Sequence, residues 1–151
     1  MRKIHVLKVD KGVYNRYSTL KIEEENKMKK FYKCEGCDTI VGVLNAGGDD
    51  NLRFEGKLEE LVANTSDGAG EKHVPVVEVE GDKATVTVGE VEHPMMKEHF
   101  IQWIYLETED GGQMKALEPG EKPVATFLLN GGKPVAAYEY CNLHGLWKTD
   151  I

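Results

Sequence analysis

Residues 71–151 are cut by turn signals at short intervals, and that spacing leaves room for strands but not for a convincing helix. Gly81-Asp82, Asp110-Gly111-Gly112 and Asn130-Gly131-Gly132 are hairpin-type turns. Between and around them, residues 74–79 alternate after Pro75, and residues 84–88 alternate cleanly between apolar and polar. Residues 100–106 are apolar and aromatic, and residues 124–129 and 135–140 complete the set. Several short strands at this spacing predict an all-β fold, an antiparallel β-sandwich. At 151 residues and 40% hydrophobic, the chain has enough apolar side chains for one core of ordinary size.

The upstream half reads as smaller pieces. Residues 1–27 form an extension, with strand composition at 3–9, a turn at Asp10-Lys11-Gly12 and a second strand at 13–22. His5 lies there outside every motif and reads as a surface histidine. A charged stretch over 23–30 links onward, and its Met28 is a candidate older start. Residues 28–63 form a small β unit: Phe31-Tyr32-Lys33, the tight turn Cys34-Glu35-Gly36-Cys37, a strand over 39–44 and a turn at Gly47-Gly48-Asp49-Asp50. Residues 63–70, small and polar, read as a linker to the 71–151 domain.

Charge narrows the partners. Nineteen Lys and Arg against 26 Asp and Glu give a net charge of -7, which argues against nucleic acid. An anionic substrate would need a local positive patch to overcome that field. No apolar run is long enough to span a bilayer, and the first residues lack the apolar core of a signal peptide. A cytoplasmic location is the expectation, and three cysteines, an odd count, suit a reducing compartment.

Four of the five histidines gather in the second half beside Cys141. His73 is expected to open a strand, His93 to precede Pro94 in a loop, and His99 to open the next strand. Cys141 is expected to end the last strand, with His144 in the turn beyond. A lone histidine is usually a satisfied or surface residue, but four with a cysteine point to a metal. Structural zinc closes with four ligands, whereas five on an octahedral metal leave one position open. A blue-copper reading of Cys141-Asn142-Leu143-His144 lacks a following methionine, although Met95 and Met96 lie near His93. A Cys141 nucleophile activated by His144 leaves three histidines unexplained.

Glu71-Lys72-His73-Val74-Pro75, His93-Pro94-Met95, His99 and Cys141-Asn142-Leu143-His144-Gly145-Leu146-Trp147 resemble the superoxide reductase family, which includes desulfoferrodoxins and neelaredoxins. The resemblance runs through residues 71–151, in order. It implies an immunoglobulin-like sandwich and a mononuclear iron, Fe2+/Fe3+. His73, His93, His99 and His144 would lie in its equatorial plane and Cys141 on its axis, the opposite axial position being left to superoxide. It implies one-electron reduction of superoxide to hydrogen peroxide, re-reduction by a rubredoxin-like donor, and a homodimer or higher homo-oligomer. Lys72 would attract the anion and organise proton delivery, and the Glu71 carboxylate would occupy the open position in the oxidised resting state. Iron can supply an electron where zinc cannot, and an axial thiolate pushes electron density onto the opposite ligand. Two other readings are an electron carrier that binds no substrate and a structural zinc module used for partner binding.

Residues 28–63 resemble the desulforedoxin-like iron unit of the same family, with Cys34 and Cys37 as its first two cysteines. The later adjacent pair is missing, since residues 51–56 contain no cysteine. One chain therefore cannot build a four-thiolate site. Free thiols, a reversible disulfide or a site shared between two copies are the readings open to Cys34 and Cys37.

Overall fold

The computed structural model describes residues 31–43 and 57–151. The expectations for residues 1–30 (both strands, the charged linker, Met28 and His5), for the turn at 47–50 and for residues 51–56 lie outside the described residues. Ten strands and one helical turn are present among the described residues. They are β1 (Phe31–Cys34), β2 (Ile40–Gly42), β3 (Leu58–Glu60), α1 (Gly70–His73), β4 (Pro75–Glu80), β5 (Lys83–Val88), β6 (Ile101–Thr108), β7 (Gly111–Ala116), β8 (Val124–Leu128), β9 (Pro134–Cys141) and β10 (Gly145–Asp150). No helix among them is long and apolar enough to cross a membrane.

The seven strands β4 to β10 form the antiparallel immunoglobulin-like sandwich, with sheet orders β4-β5-β8 and β10-β9-β6-β7. Alternation on β5 turns Ala84, Val86 and Val88 inward and leaves Lys83 exposed and Thr85 and Thr87 half-buried. Those three meet Ala125 and Phe127 of β8, Ile101, Ile104 and Leu106 of β6, and Ala137 and Cys141 of β9. The core thus runs up to the cysteine that sequence reasoning singled out.

β6 and β9 read as apolar runs rather than alternations because both of their faces are covered. The antiparallel sheet β2-β1-β3 packs on the outer face of the larger sheet. Phe31 lies 5.2, 5.7 and 5.5 Å from the rings of Trp103, Tyr105 and Tyr138. Alternation on β9 therefore sends Ala137, Glu139 and Cys141 between the two sandwich sheets, and Ala136, Tyr138 and Tyr140 outward under the small sheet.

Several expectations change. β7 and β10 were not anticipated: β7 is a Gly-rich, largely exposed edge paired to β6, and β10 follows Cys141, which therefore ends β9 and not the last strand. His73 closes α1 instead of opening a strand, and His99 sits two residues before β6 in a bridge with Met96. Asn130-Gly131 turns tightly, with φ of 50° and 81°, but it carries the chain from one sheet to the other and makes no hairpin. Within residues 63–70, the stretch read as a linker, Asn64 is tied to β10. Asn64 N donates to Leu146 O at 3.0 Å, Asn64 Nδ2 donates to Lys148 O at 3.0 Å, and Lys148 N donates to Asn64 Oδ1 at 2.8 Å.

Candidate metal centre

Three connections at one end of the sandwich, the α1 turn before β4, the β5–β6 segment and the β9–β10 hairpin, bring His73, His93, His99, Cys141 and His144 together, with their ligand atoms all within 4.8 Å of one another. The three-residue connection between β9 and β10 places Cys141 and His144 on one side, with Gly145 at φ 70° closing the turn. A register shift between Ile101 and Trp103 leaves Gln102 out of the β6–β9 ladder and sets Ile101 opposite Cys141. Asn142 then ties the His99 loop to this hairpin. Its Oδ1 accepts from Phe100 N at 2.9 Å, and its Nδ2 donates to Glu98 O at 3.0 Å.

The imidazoles form a near-square. Consecutive ring centroids, 73 to 93, 93 to 99, 99 to 144 and 144 to 73, are 4.7, 4.6, 4.8 and 4.7 Å apart, each pair edge to face. The diagonal from His73 to His99 is 6.4 Å, close to root-two times the side. His73 Nε2 lies 3.1 Å from His93 Nε2 and 3.0 Å from His144 Nδ1. Cys141 Sγ lies 3.7 Å from both His93 Nε2 and His144 Nδ1.

Proton accounting shows what these atoms require. His73 Nδ1 donates to Ala69 O at 2.8 Å, and His93 Nδ1 donates to Pro94 O at 2.6 Å, since a carbonyl only accepts. In the neutral tautomers so fixed, Nε2 of both rings is a bare lone pair, and the two point at each other. Burial holds His73, His93 and His99 below the ordinary imidazole pKa, His93 at about 4, so the rings are neutral near pH 7. His99 Nε2 is also buried with no hydrogen-bond partner. Facing lone pairs repel unless a cation sits between them. A cation subtending a right angle to nitrogens 3.0–3.1 Å apart would lie about 2.1–2.2 Å from each, an ordinary metal–imidazole length. The residues fit a metal ion.

The surroundings hold the square in place. Trp147 stacks on His73 with centroids 4.9 Å apart, and its Nε1 donates to His144 O at 3.1 Å. A Cβ at Gly68 would meet His144 and Trp147 at 3.1 Å, so a bare glycine lets the 63–70 segment close over them. Gly89 (φ 78°) passes so near α1 that a Cβ would lie 2.6 Å from Val91 O and 2.7 Å from Lys72 O. Burial pushes the Cys141 thiol up, while the backbone N–H groups of His144 and Leu143 aim at the sulfur and oppose this. Glu139, two residues earlier on the same face, is fully buried with neither carboxyl oxygen partnered, and burial holds it well above the carboxylate range.

His73, His93 and Cys141 are buried, whereas His99 and His144 are partly open. Lys72 is half-buried beside His93 in an open cleft of about 590 Å³ that also includes Glu92, Glu121 and Lys122, and its charge reaches His99. Glu71 is exposed on α1, and its carbonyl anchors the turn by accepting from Val91 N at 2.9 Å. Sequence reasoning missed the parts played by Asn142, Trp147, Gly68, Gly89 and Glu139. Only Asn142 and Trp147 carried a signal, by their positions within the Cys141–Trp147 stretch.

A family profile described as Desulfoferrodoxin matches residues 65–150. The desulfoferrodoxin of Nitratidesulfovibrio vulgaris is 46% identical over 121 residues, covering 80% of this chain and 95% of that protein. The superoxide reductase of Pyrococcus horikoshii is 40% identical over 112 residues, covering 62% of this chain and 96% of that one. The crystal structure of the superoxide reductase from Treponema pallidum superposes with a TM-score of 0.62 at 38% identity, covering 80% of this chain and 98% of that chain.

Proposed function

This chain belongs to the desulfoferrodoxin family, and from that premise we propose that it is a superoxide reductase whose mononuclear iron is held by His73, His93, His99, His144 and Cys141. The observation that carries the reading is the near-square of imidazoles with a sulfur at 3.7 Å from two of its nitrogens, one donor more than a closed tetrahedral zinc site accepts. A ferrous ion held by that donor set would supply the electron.

The reaction consumes one superoxide, one electron and two protons and yields one hydrogen peroxide. The chain's own residues manage charge and protons. Lys72 is the cleft lysine next to His73 in the chain, its charge reaches His99, and it draws a small anion toward His93 and His99 against a net charge of -7. Its ammonium, replenished from water, is a proton source on that side. Glu71, exposed next to it, supplies a carboxylate that covers the site when no substrate is bound. The carbonyls of Ala69 and Pro94 keep His73 and His93 in the tautomer that presents Nε2. The partly open side at His99 and His144 gives peroxide a short way out. Residues 71–151 carry the reaction, and residues 28–63 form an accessory unit. A rubredoxin-like protein serves as donor, and the chain works in the cytoplasm as a homodimer or higher homo-oligomer.

Two substitutions test this. Lys72→Ala should slow superoxide consumption on the order of tenfold or more and flatten its ionic-strength dependence, with metal content unchanged. Pulse radiolysis or stopped-flow mixing measures both, and an unchanged rate and salt slope removes Lys72 from the mechanism. Cys141→Ser should abolish the thiolate-to-iron charge-transfer colour of the oxidised protein. A band that persists shows the ligand set to be wrong. Azide should perturb that band in the unaltered protein, whereas a closed electron carrier would not respond.

A further inference from the structure

The five-ligand site leaves Cys34 and Cys37 unused. They sit at the ends of the β1–β2 turn, where Cys37 N donates to Cys34 O at 3.4 Å and Gly36 holds φ 82°. A four-residue turn closed in this way keeps its end Cα atoms within about 7 Å, which overlaps the span a disulfide bridges. A second contact, from Cys34 N to Thr39 O at 3.0 Å, fixes the knuckle onto the following strand.

The two sulfurs are not equivalent. Cys37 is exposed and Cys34 is half-buried, and both are free thiols. Cys37 accepts hydrogen bonds from the Thr39 side chain, the Cys34 thiol and the Thr39 backbone, which lower its pKa. Cys34 is raised, first because its S–H is the donor to Cys37, and it also makes a long contact of 3.7 Å to Glu35 O. An exposed cysteine whose thiolate form is favoured, held by a tight turn beside a less accessible partner thiol, is the arrangement in which a peroxide-reactive cysteine has its resolving cysteine at hand.

We propose that Cys34 and Cys37 form a peroxide-reactive dithiol, with Cys37 attacking and Cys34 resolving, that closes a reversible disulfide across the β1–β2 turn. The Cys37 thiolate attacks one oxygen of hydrogen peroxide, the O–O bond breaks, and hydroxide leaves with Cys37 as a sulfenic acid. The Cys34 sulfur then attacks the Cys37 sulfur, the S–O bond breaks, and water departs with the former Cys34 proton. In sum two thiols lose two electrons and two protons, and one peroxide becomes two waters. The source of peroxide rests on the superoxide reductase reading: the product released at the iron site is the oxidant for the second site on the same chain. An external dithiol reverses the bond by exchange.

The test uses full-length, metal-loaded protein and reagent hydrogen peroxide, followed by N-ethylmaleimide blocking and unreduced peptide mapping. Cys34 and Cys37 share one tryptic peptide, residues 34–53. Peroxide should remove both maleimide additions and leave that peptide lighter by two hydrogens, and dithiothreitol should restore them. With dimedone present, Cys34→Ser should trap an adduct at Cys37, while Cys37→Ser should label Cys34 at least about tenfold more slowly. Thiols that stay fully alkylatable after peroxide overturn the proposal, as do equal labelling rates in the two variants. So does a zinc or iron retained at the pair that shields both from maleimide, which would make it a shared thiolate site. Reagent peroxide bypasses the iron reaction. A disulfide that closes in a protein inert toward superoxide sinks the activity alone, and an active protein with inert thiols sinks the dithiol alone.

Discussion

His73 and His93 each commit their Nδ1 proton to a nearby carbonyl, and that small local fact decides how the site must behave. The bare Nε2 atoms are left facing each other, and only a cation relieves them. The ligand residues were legible in the sequence because histidine and cysteine are chemically distinct and recur in short motifs. The tautomers were not, because they depend on which backbone carbonyl the fold brings to each ring. Gly89 illustrates the same limit: nothing in its surroundings along the chain marks it, yet it passes under Lys72. Gly89→Ala puts a Cβ in a left-handed backbone position and against two carbonyls, at a cost of about 2–4 kcal/mol. The variant should melt several degrees lower and, because Lys72 and His73 must shift, bind metal more weakly. A variant that melts lower with unchanged metal affinity would show that the overlap is relieved away from α1.

Among the elements, β5, β6, β8 and β9 were legible because their patterns report burial directly. β7 was not, since Gly111–Ala116 is exposed and has little strand propensity, and its pairing to β6 alone makes it a strand. The Gly112 position has no Cβ because the Tyr105 hydroxyl occupies that space. The outer face of β6 and β9 also contains a buried polar contact, Tyr138 Oη donating to Glu107 Oε2 at 3.0 Å. Burial first, then the Glu107 charge and this hydrogen bond, raises the Tyr138 pKa far above the usual tyrosine value. The folded state therefore holds this proton more tightly than the unfolded chain does. Its stabilisation is fully present below pH about 10, the unfolded tyrosine value, and is lost as pH rises from there toward the folded pKa. Tyr138→Phe should cost about 1–2 kcal/mol at pH 8, with the gap to the parent protein narrowing above pH 10. Denaturation midpoints at pH 8 and above pH 10 measure this, and a constant gap contradicts it.

At the scale of the whole molecule the sandwich and the metal centre depend on each other only weakly. The central core is built from Ala84, Val86, Val88, Ile101, Ile104, Leu106 and their neighbours, and Cys141 is its only candidate ligand. Removing the metal with a chelator should leave the β-sheet circular dichroism and a cooperative unfolding transition in place. The melting point should fall, since a ligand held at a thousand times its Kd contributes about 4 kcal/mol. Loss of folded signal on chelation would show that the metal, not the core, organises the sandwich. The fold class was readable because alternation and turn spacing act over the whole chain. The docking of the small sheet onto the sandwich was not, because Phe31 gives no sign of which distant aromatic residues it will meet.

The strict two-sidedness of β9 limits which changes of length the chain can survive. Cys141 and Tyr140 face opposite ways from the unbroken β9–β10 ladder. Inserting or deleting a single residue between Ala136 and Tyr140 would exchange the two faces over the rest of the strand. A phenol would then point into the histidine square and the thiol beneath the small sheet. β9 can absorb substitutions at many positions, but an indel that no bulge takes up changes its phase, and the strand forces the small sheet and the metal centre to keep the same phase.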